Sequence, residues 1–159
     1  LFRSEEFLDR IPVRNSITFI CTYNNLSITS MDKLLEKILE LRTKYSKTYQ
    51  RVWFDVPLLR QPAWQQITLL PESYQGIHED NIKYMQANSG EANGLHIFKD
   101  FEIQKMQRNL AYWKENADAS TQHKKNFYAF FNEHDRRRLT RFLNTFPEME
   151  DFYMECKNI

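Results

Sequence analysis

SITFICTYNNLSITSMDKLLEKILELRTKYSKTYQRVWFDVPLLRQP, residues 16–62, decides the fold. Its first part, Ile17–Tyr23, is rich in β-branched and aromatic residues and reads as a strand. The polar cluster Asn24-Asn25-Leu26-Ser27 follows at the strand's carboxyl end. Met31–Tyr45 then places Met31, Leu34, Leu35, Ile38, Leu41 and Tyr45 on one stripe, with Lys33, Glu36, Lys37, Glu40 and Lys44 on the other. Thr29 and Asp32 have the spacing of a capping box. Arg51–Val56 is a second strand, stopped by Pro57. A strand–helix–strand unit of this length implies parallel strands joined by a right-handed crossover. Ligands of such sheets bind at the strands' carboxyl ends, so Asn24, Asn25 and the residues after Val56 are the first candidates for a site.

The flanking segments add few strands. Leu1–Ile11 reads as the tail of a helix, with Phe7, Leu8 and Ile11 apolar and Pro12 as its stop. A chain that opens inside an element is expected to be a piece of a longer one. Gln65–Leu70 alternates polar and apolar and suggests a short edge strand ended by Pro71. Ile77–Ala87 is expected to be a helix with Ile77, Ile82 and Met85 inward, and Asn88–Gly94 a loop. Ile97–Glu115 and Phe127–Asn144 are expected as longer helices. The first carries Phe101, Ile103, Met106, Leu110 and Trp113 on one face; the second carries Phe127, Phe130, Phe131, His134, Leu139, Phe142 and Leu143. Glu148–Cys156 adds a last turn or two. The expected organisation is an α/β part over residues 1–71 and a mostly α-helical region over 72–159 packing on it. Two or three strands with one crossover helix neither close a barrel nor make a parallel sheet covered on both faces. The α/β part therefore reads as the last portion of a larger domain.

Composition narrows the function classes. The chain has 159 residues, 42% of them hydrophobic and 14% aromatic, enough for one domain with a core. Three glycines are too few for a β-sandwich with many tight turns. A net charge of +1 gives no global support to charge-driven binding of nucleic acid or membrane. No apolar run approaches the ~18 residues of a membrane span. The two cysteines, Cys21 and Cys156, make no disulfide framework, so a reducing, cytoplasmic setting is expected, with Cys21 buried in its strand. His78, His96, His123 and His134 show no metal-ligand spacing with each other or with the cysteines. Phosphate-loop and serine-hydrolase motifs are absent.

Individual polar residues each carry two readings. Asn24 and Asn25 either hydrogen-bond a ligand or build the turn into the helix. Asp55, between Phe54 and Val56, needs a partner and is either a site residue or an anchor for Arg51 or Arg60. Gln61-Pro62 lies just beyond that strand. Arg136-Arg137-Arg138 either grips a phosphate or an acidic partner, or forms the solvated face of a helix with Asp135 as local partner.

Ile17–Ser27 (ITFICTYNNLS), Phe54–Pro62 (FDVPLLRQP) and His134–Phe152 (HDRRRLTRFLNTFPEMEDF) together resemble the C-terminal half of radical S-adenosylmethionine enzymes, in the group with a twitch or SPASM-like auxiliary region. The resemblance spans essentially the whole chain. It implies a partial (β/α)6 barrel of which the two strands are the fifth and sixth, with Leu1–Ile11 the end of the fourth helix. It also implies S-adenosylmethionine and a four-iron, four-sulfur cluster as cofactors. Carried over by position, Asn24, Asn25, Asp55 and Gln61 become candidates for holding S-adenosylmethionine. Arg60, Arg136, Arg137 and Arg138 become candidate contacts for a small-molecule or peptide substrate or a partner. The family's CxxxCxxC motif, whose thiolates hold the cluster, is absent. On this resemblance the chain is not catalytic alone, and its expected partner is an N-terminal half of the same protein. The competing expectations are a non-enzymatic α/β interaction module whose aromatic helical half binds a protein, and a nucleic-acid-associated protein using Arg136–Arg141.

Overall fold

The computed structural model describes residues 2–90 and 94–159. Leu1, and Glu91–Asn93 of the expected loop, lie outside the described residues. Helix α1 (Phe2–Arg10) leads into strand β1 (Ile17–Ile20), helix α2 (Met31–Tyr45) and strand β2 (Val52–Asp55). Leu8 fixes α1 to the core, while Phe7 is turned outward and Ile11 is half-buried. The strands pair in parallel, Ile17 opposite Val52 and Ile20 opposite Asp55. A further bridge joins Tyr23 to Leu58. Tyr23 N–H donates to the Pro57 carbonyl at 2.7 Å and Leu59 N–H to the Tyr23 carbonyl at 2.9 Å, so the pairing runs past both strand ends. Among the described residues the sheet has these two strands alone. The coarse expectation of a βαβ unit followed by helices holds.

Several local expectations do not. Gln65–Leu70 forms no strand. Ala63–Gln65 and Ile67–Leu69 are single 3-10 turns, with Gln66 and Leu70 extended after them. Pro62 and Pro71 bound the stretch, and Leu69 and Leu70 both point inward, which a strand's alternation forbids. Thr29 and Asp32 form no capping box: Ser30 occupies the N-cap of α2 and makes no side-chain cap.

The remaining helices are α3 (Gln75–Ala87), α4 (Asp100–Glu115), α5 (Thr121–Arg138), α6 (Phe142–Thr145) and α7 (Glu150–Asn158). Phe127–Asn144 is not one helix. α5 ends at Leu139, whose φ of 53° is left-handed, and Asp135 closes the corner. Its Oδ1 accepts from the Thr140 hydroxyl at 2.9 Å and its Oδ2 from the Phe142 N–H at 2.6 Å. Leu139, expected inward, is 94% exposed, and Ile77, Phe101 and Phe130 also face solvent. The other aromatics of this region pack on one another. Phe127 lies 4.8 Å from Phe131 and 5.1 Å from Phe152, and Phe142 stacks on Tyr153 at 4.8 Å.

Several polar contacts knit the helical region to the α/β part. Arg42 of α2 and Glu102 of α4 form a buried ion pair. Asn109 Nδ2 of α4 donates to the Val56 carbonyl at 3.0 Å. The Tyr23 hydroxyl bonds His78 Nδ1 of α3. No described helix is long and apolar enough to cross a membrane.

Candidate functional site

The two edges and two faces of the sheet differ, and that difference defines the candidate site. In a parallel ladder the N–H and C=O of one residue point to the same side. Ile17, Cys21 and Tyr23 donate to Arg51, Asp55 and Pro57, so the odd residues of β1 face β2. The even residues, Thr18, Ile20 and Thr22, present their N–H and C=O to the opposite edge, where no described strand lies. On β2 the even residues also face outward, and side chains take two of their carbonyls, those of Val52 and Val56. Val52 O accepts from Arg42 Nε at 3.1 Å and from Gln50 Nε2 at 2.6 Å; Val56 O accepts from Asn109 Nδ2. Side chains thus cover both ends of the β2 edge, at Val52 and Val56, whereas on the β1 edge the main-chain groups of Thr18 and Ile20 meet no partner among the described residues.

The faces divide in the same way. Val52 and Phe54 are buried, with Ile17 and Phe19 half-buried beside them. On the opposite face Thr18 and Ile20 are exposed, Ile20 by 66%, and Trp53 and Asp55 are half-buried. Helix α4 borders this open face beside β2. Phe101 meets Trp53 with ring centroids 6.4 Å apart, Lys105 Nζ binds Asp55 Oδ1, and Tyr112 lies under the Arg60 guanidinium at 4.1 Å. Phe101, Lys105 and Tyr112 follow i, i+4, i+11 spacing, one stripe of α4. Asp55 Oδ1 also accepts from the Val56 N–H at 2.9 Å.

Each sequence-derived candidate now has a place. Asn24 builds the turn. Its Oδ1 accepts from Leu26 N–H at 2.8 Å and Ser27 N–H at 3.2 Å, and its Nδ2 donates to Thr22 O. Asn25 is buried; its Nδ2 donates to Trp64 O at 3.0 Å and ties the turn to the segment after β2, while its Oδ1 has no partner. Asp55 does not anchor an arginine. Its partner is Lys105, fifty residues on, while Arg51 donates to the carbonyls of Leu8, Ile11 and Asn15. Gln61 is exposed and precedes Pro62 through a cis peptide bond. Asn24, Asn25, Asp55, Arg60 and Gln61 therefore gather near the carboxyl end of the sheet. Arg136, Arg137 and Arg138 sit in the last turn of α5, far along the chain on a separate element. Arg136 and Arg137 both bind Glu133, at 2.7 and 2.5 Å, rather than Asp135. Those two arginines hold Glu133 at a pKa of about 2, well below the usual carboxylate range.

Sequence reasoning did not single out Lys105 or Tyr112, and it weighed His78 only as a metal ligand. The α4 stripe is visible as a helical spacing, but nothing local says that it borders β2. His78 is buried. Its Nε2 lies 2.9 Å from the Met106 carbonyl, which only accepts, so Nε2 carries the proton and Nδ1 accepts from the Tyr23 hydroxyl. Burial lowers the His78 pKa and raises that of Tyr23 far above its ordinary value, so both stay neutral.

The donor set does not fit an iron–sulfur cluster. Cys21 is half-buried at the end of β1 and Cys156 is buried in α7. Burial raises both thiols, Cys156 to about 12, which disfavours the ligating thiolate. No group of three His, Cys, Asp or Glu among the described residues is placed to hold a metal.

No protein-family model matches the chain, and neither a curated protein nor a solved structure matches it.

Proposed function

We propose that the chain forms the late-strand portion of a radical S-adenosylmethionine enzyme, with β1 and β2 as the fifth and sixth strands of a partial (β/α)6 barrel. One observation supports this reading above others: side chains cover both ends of the β2 edge, whereas Thr18 and Ile20 leave the β1 edge open. A last barrel strand needs one covered edge, and the strand before it needs a neighbour on its other side. The open face with Thr18, Ile20, Trp53 and Asp55 is then the wall that faces the barrel interior, and the face toward α2 is the outer one.

On this reading the cluster's thiolates come from outside these 159 residues, because the cysteines present are unsuited to the role. S-adenosylmethionine bound to such a cluster supplies the radical chemistry. The residues present would line the cavity and keep water from it. Asn24 acts through the shape of the turn that it holds, and Asp55 together with Lys105 carries charge on the cavity wall. The aromatic helical half supports its own packing first, which favours this reading over an interaction module built on those rings.

The test is the coding sequence that adjoins the codon for Leu1, followed by expression of the whole reading frame. The expected result is an upstream CxxxCxxC and a protein that binds iron, sulfide and S-adenosylmethionine. A reading frame without that motif overturns the proposal.

A further inference from the structure

We infer that Arg60 anchors an oxyanion site at the carboxyl end of the sheet, one that takes a carboxylate or phosphoryl group of a small ligand. Arg60 follows β2 by five residues, and the main chain around it is pinned on both sides. Leu59 N–H donates to Tyr23 O at 2.9 Å, and Gln66 Nε2 donates to Arg60 O at 2.6 Å. The side chain is held as well: its guanidinium lies 4.1 Å from the centroid of the Tyr112 ring. A cation over a ring face is attracted by the ring quadrupole, and the contact leaves the N–H fork in the guanidinium plane free. Arg60 is exposed, and none of its fork N–H groups meets an acceptor among the described residues. The other arginines with aromatic contacts differ on this point. Arg42 and Arg51 use their forks on carbonyls and on Glu102.

A planar fork that is fixed, charged and unoccupied suits two oxygens of one carboxylate or phosphoryl group. The neighbouring stripe of α4 adds Lys105 and, one turn from Tyr112, the exposed Arg108. Asp55 is the carboxylate paired with Lys105, so the local balance favours an anion. The inference names a ligand class for the end of the sheet described above. It rests on the radical-enzyme reading only in assigning the anion to that enzyme's substrate, and the binding itself needs no cluster.

The experiment is a titration of the 159-residue chain with sodium phosphate and, separately, with sodium benzoate. Ionic strength is held with sodium chloride, and the Arg60 side-chain Nε–H is followed by NMR. A saturable shift of that signal is expected with one or both probes, and the probe that saturates identifies the phosphoryl or the carboxylate group. R60Q should abolish the binding. R60K keeps the charge but loses the fork and should weaken it about tenfold. Y112L removes the platform without touching the anion and should weaken it about threefold. A shift no larger than chloride alone produces, or binding that survives R60Q, overturns the inference. Because Arg60 is exposed, R60Q and R60K should keep the wild-type thermal midpoint, and that measurement separates a loss of binding from a loss of fold. The cluster reading stands or falls separately on the upstream motif.

Discussion

Arg42 and Glu102 meet as a buried two-pronged ion pair, Nη2 to Oε1 at 2.5 Å and Nη1 to Oε2 at 3.0 Å, across the seam between α2 and α4. Four of the five Arg42 N–H groups have acceptors. Arg42 also donates to Val52 O and Ile97 O, and Glu102 Oε2 accepts from the Lys99 N–H at 2.9 Å, closing the first turn of α4. Removing one partner strands a charge in a dry site. Glu102→Ala should therefore lose about 3–5 kcal/mol of stability, measured by urea unfolding. A loss below about 1 kcal/mol, the range of an exposed pair, would contradict the burial.

His78 gives the fold an acid-side limit. Its folded pKa lies below the ordinary 6.5 because burial disfavours the imidazolium. Below that value the unfolded chain takes up a proton that the folded one refuses, so unfolding is favoured as pH drops. The stabilisation is complete above pH 6.5 and is lost progressively as pH falls through 6.5 toward the folded pKa. H78Q removes this titration and should flatten the slope of unfolding free energy against pH in that window. Parallel slopes for the two proteins would assign the acid sensitivity to other groups.

Leu139 holds φ at 53° with its side chain in water. Left-handed backbone costs a residue with a Cβ, and no packing offsets that cost here. Leu139→Gly should raise stability by about 0.5–1 kcal/mol after the added freedom of the unfolded chain is counted. Thermal unfolding of the two proteins reads the difference, and a lower midpoint for the glycine variant would refute it.

Amide exchange reads the sheet edges directly. Phe19, Cys21 and Tyr23 should be protected, because their N–H groups point into the ladder. Thr18, Ile20 and Thr22 should exchange far faster. Equal protection across residues 17–23 would mean that the β1 edge is covered in solution.

Residues 16–62 were legible because two short-range rules act there without conflict. Apolar spacing places α2 at Met31–Tyr45, and β-branched runs place Ile17 and Val52 in strands. Gln65–Leu70 misled because its alternation lasts only six residues, within which 3-10 turns bury a similar set. The end of α5 was hidden by Leu139, since a leucine carries no sign of a left-handed stop. At the site, Asn24 and Asp55 were found by their position after or within a strand. Their roles were not, because Asp55 is answered by Lys105 from a helix that no local pattern assigns to that place. Arg60 was visible as a charge, but its ring partner, Tyr112, lies 52 positions on.

The side-chain cover at the two ends of β2 also sets an order of assembly. Its outward carbonyls are met by Arg42, which precedes the strand, and by Asn109, which follows it by more than fifty residues. A chain emerging amino end first forms β1, α2 and β2 while the Val56 carbonyl still faces water. Until α4 has left the ribosome, the Val56 end of the β2 edge lacks the side chain that covers it. The closing of that edge therefore waits on a residue more than fifty positions downstream.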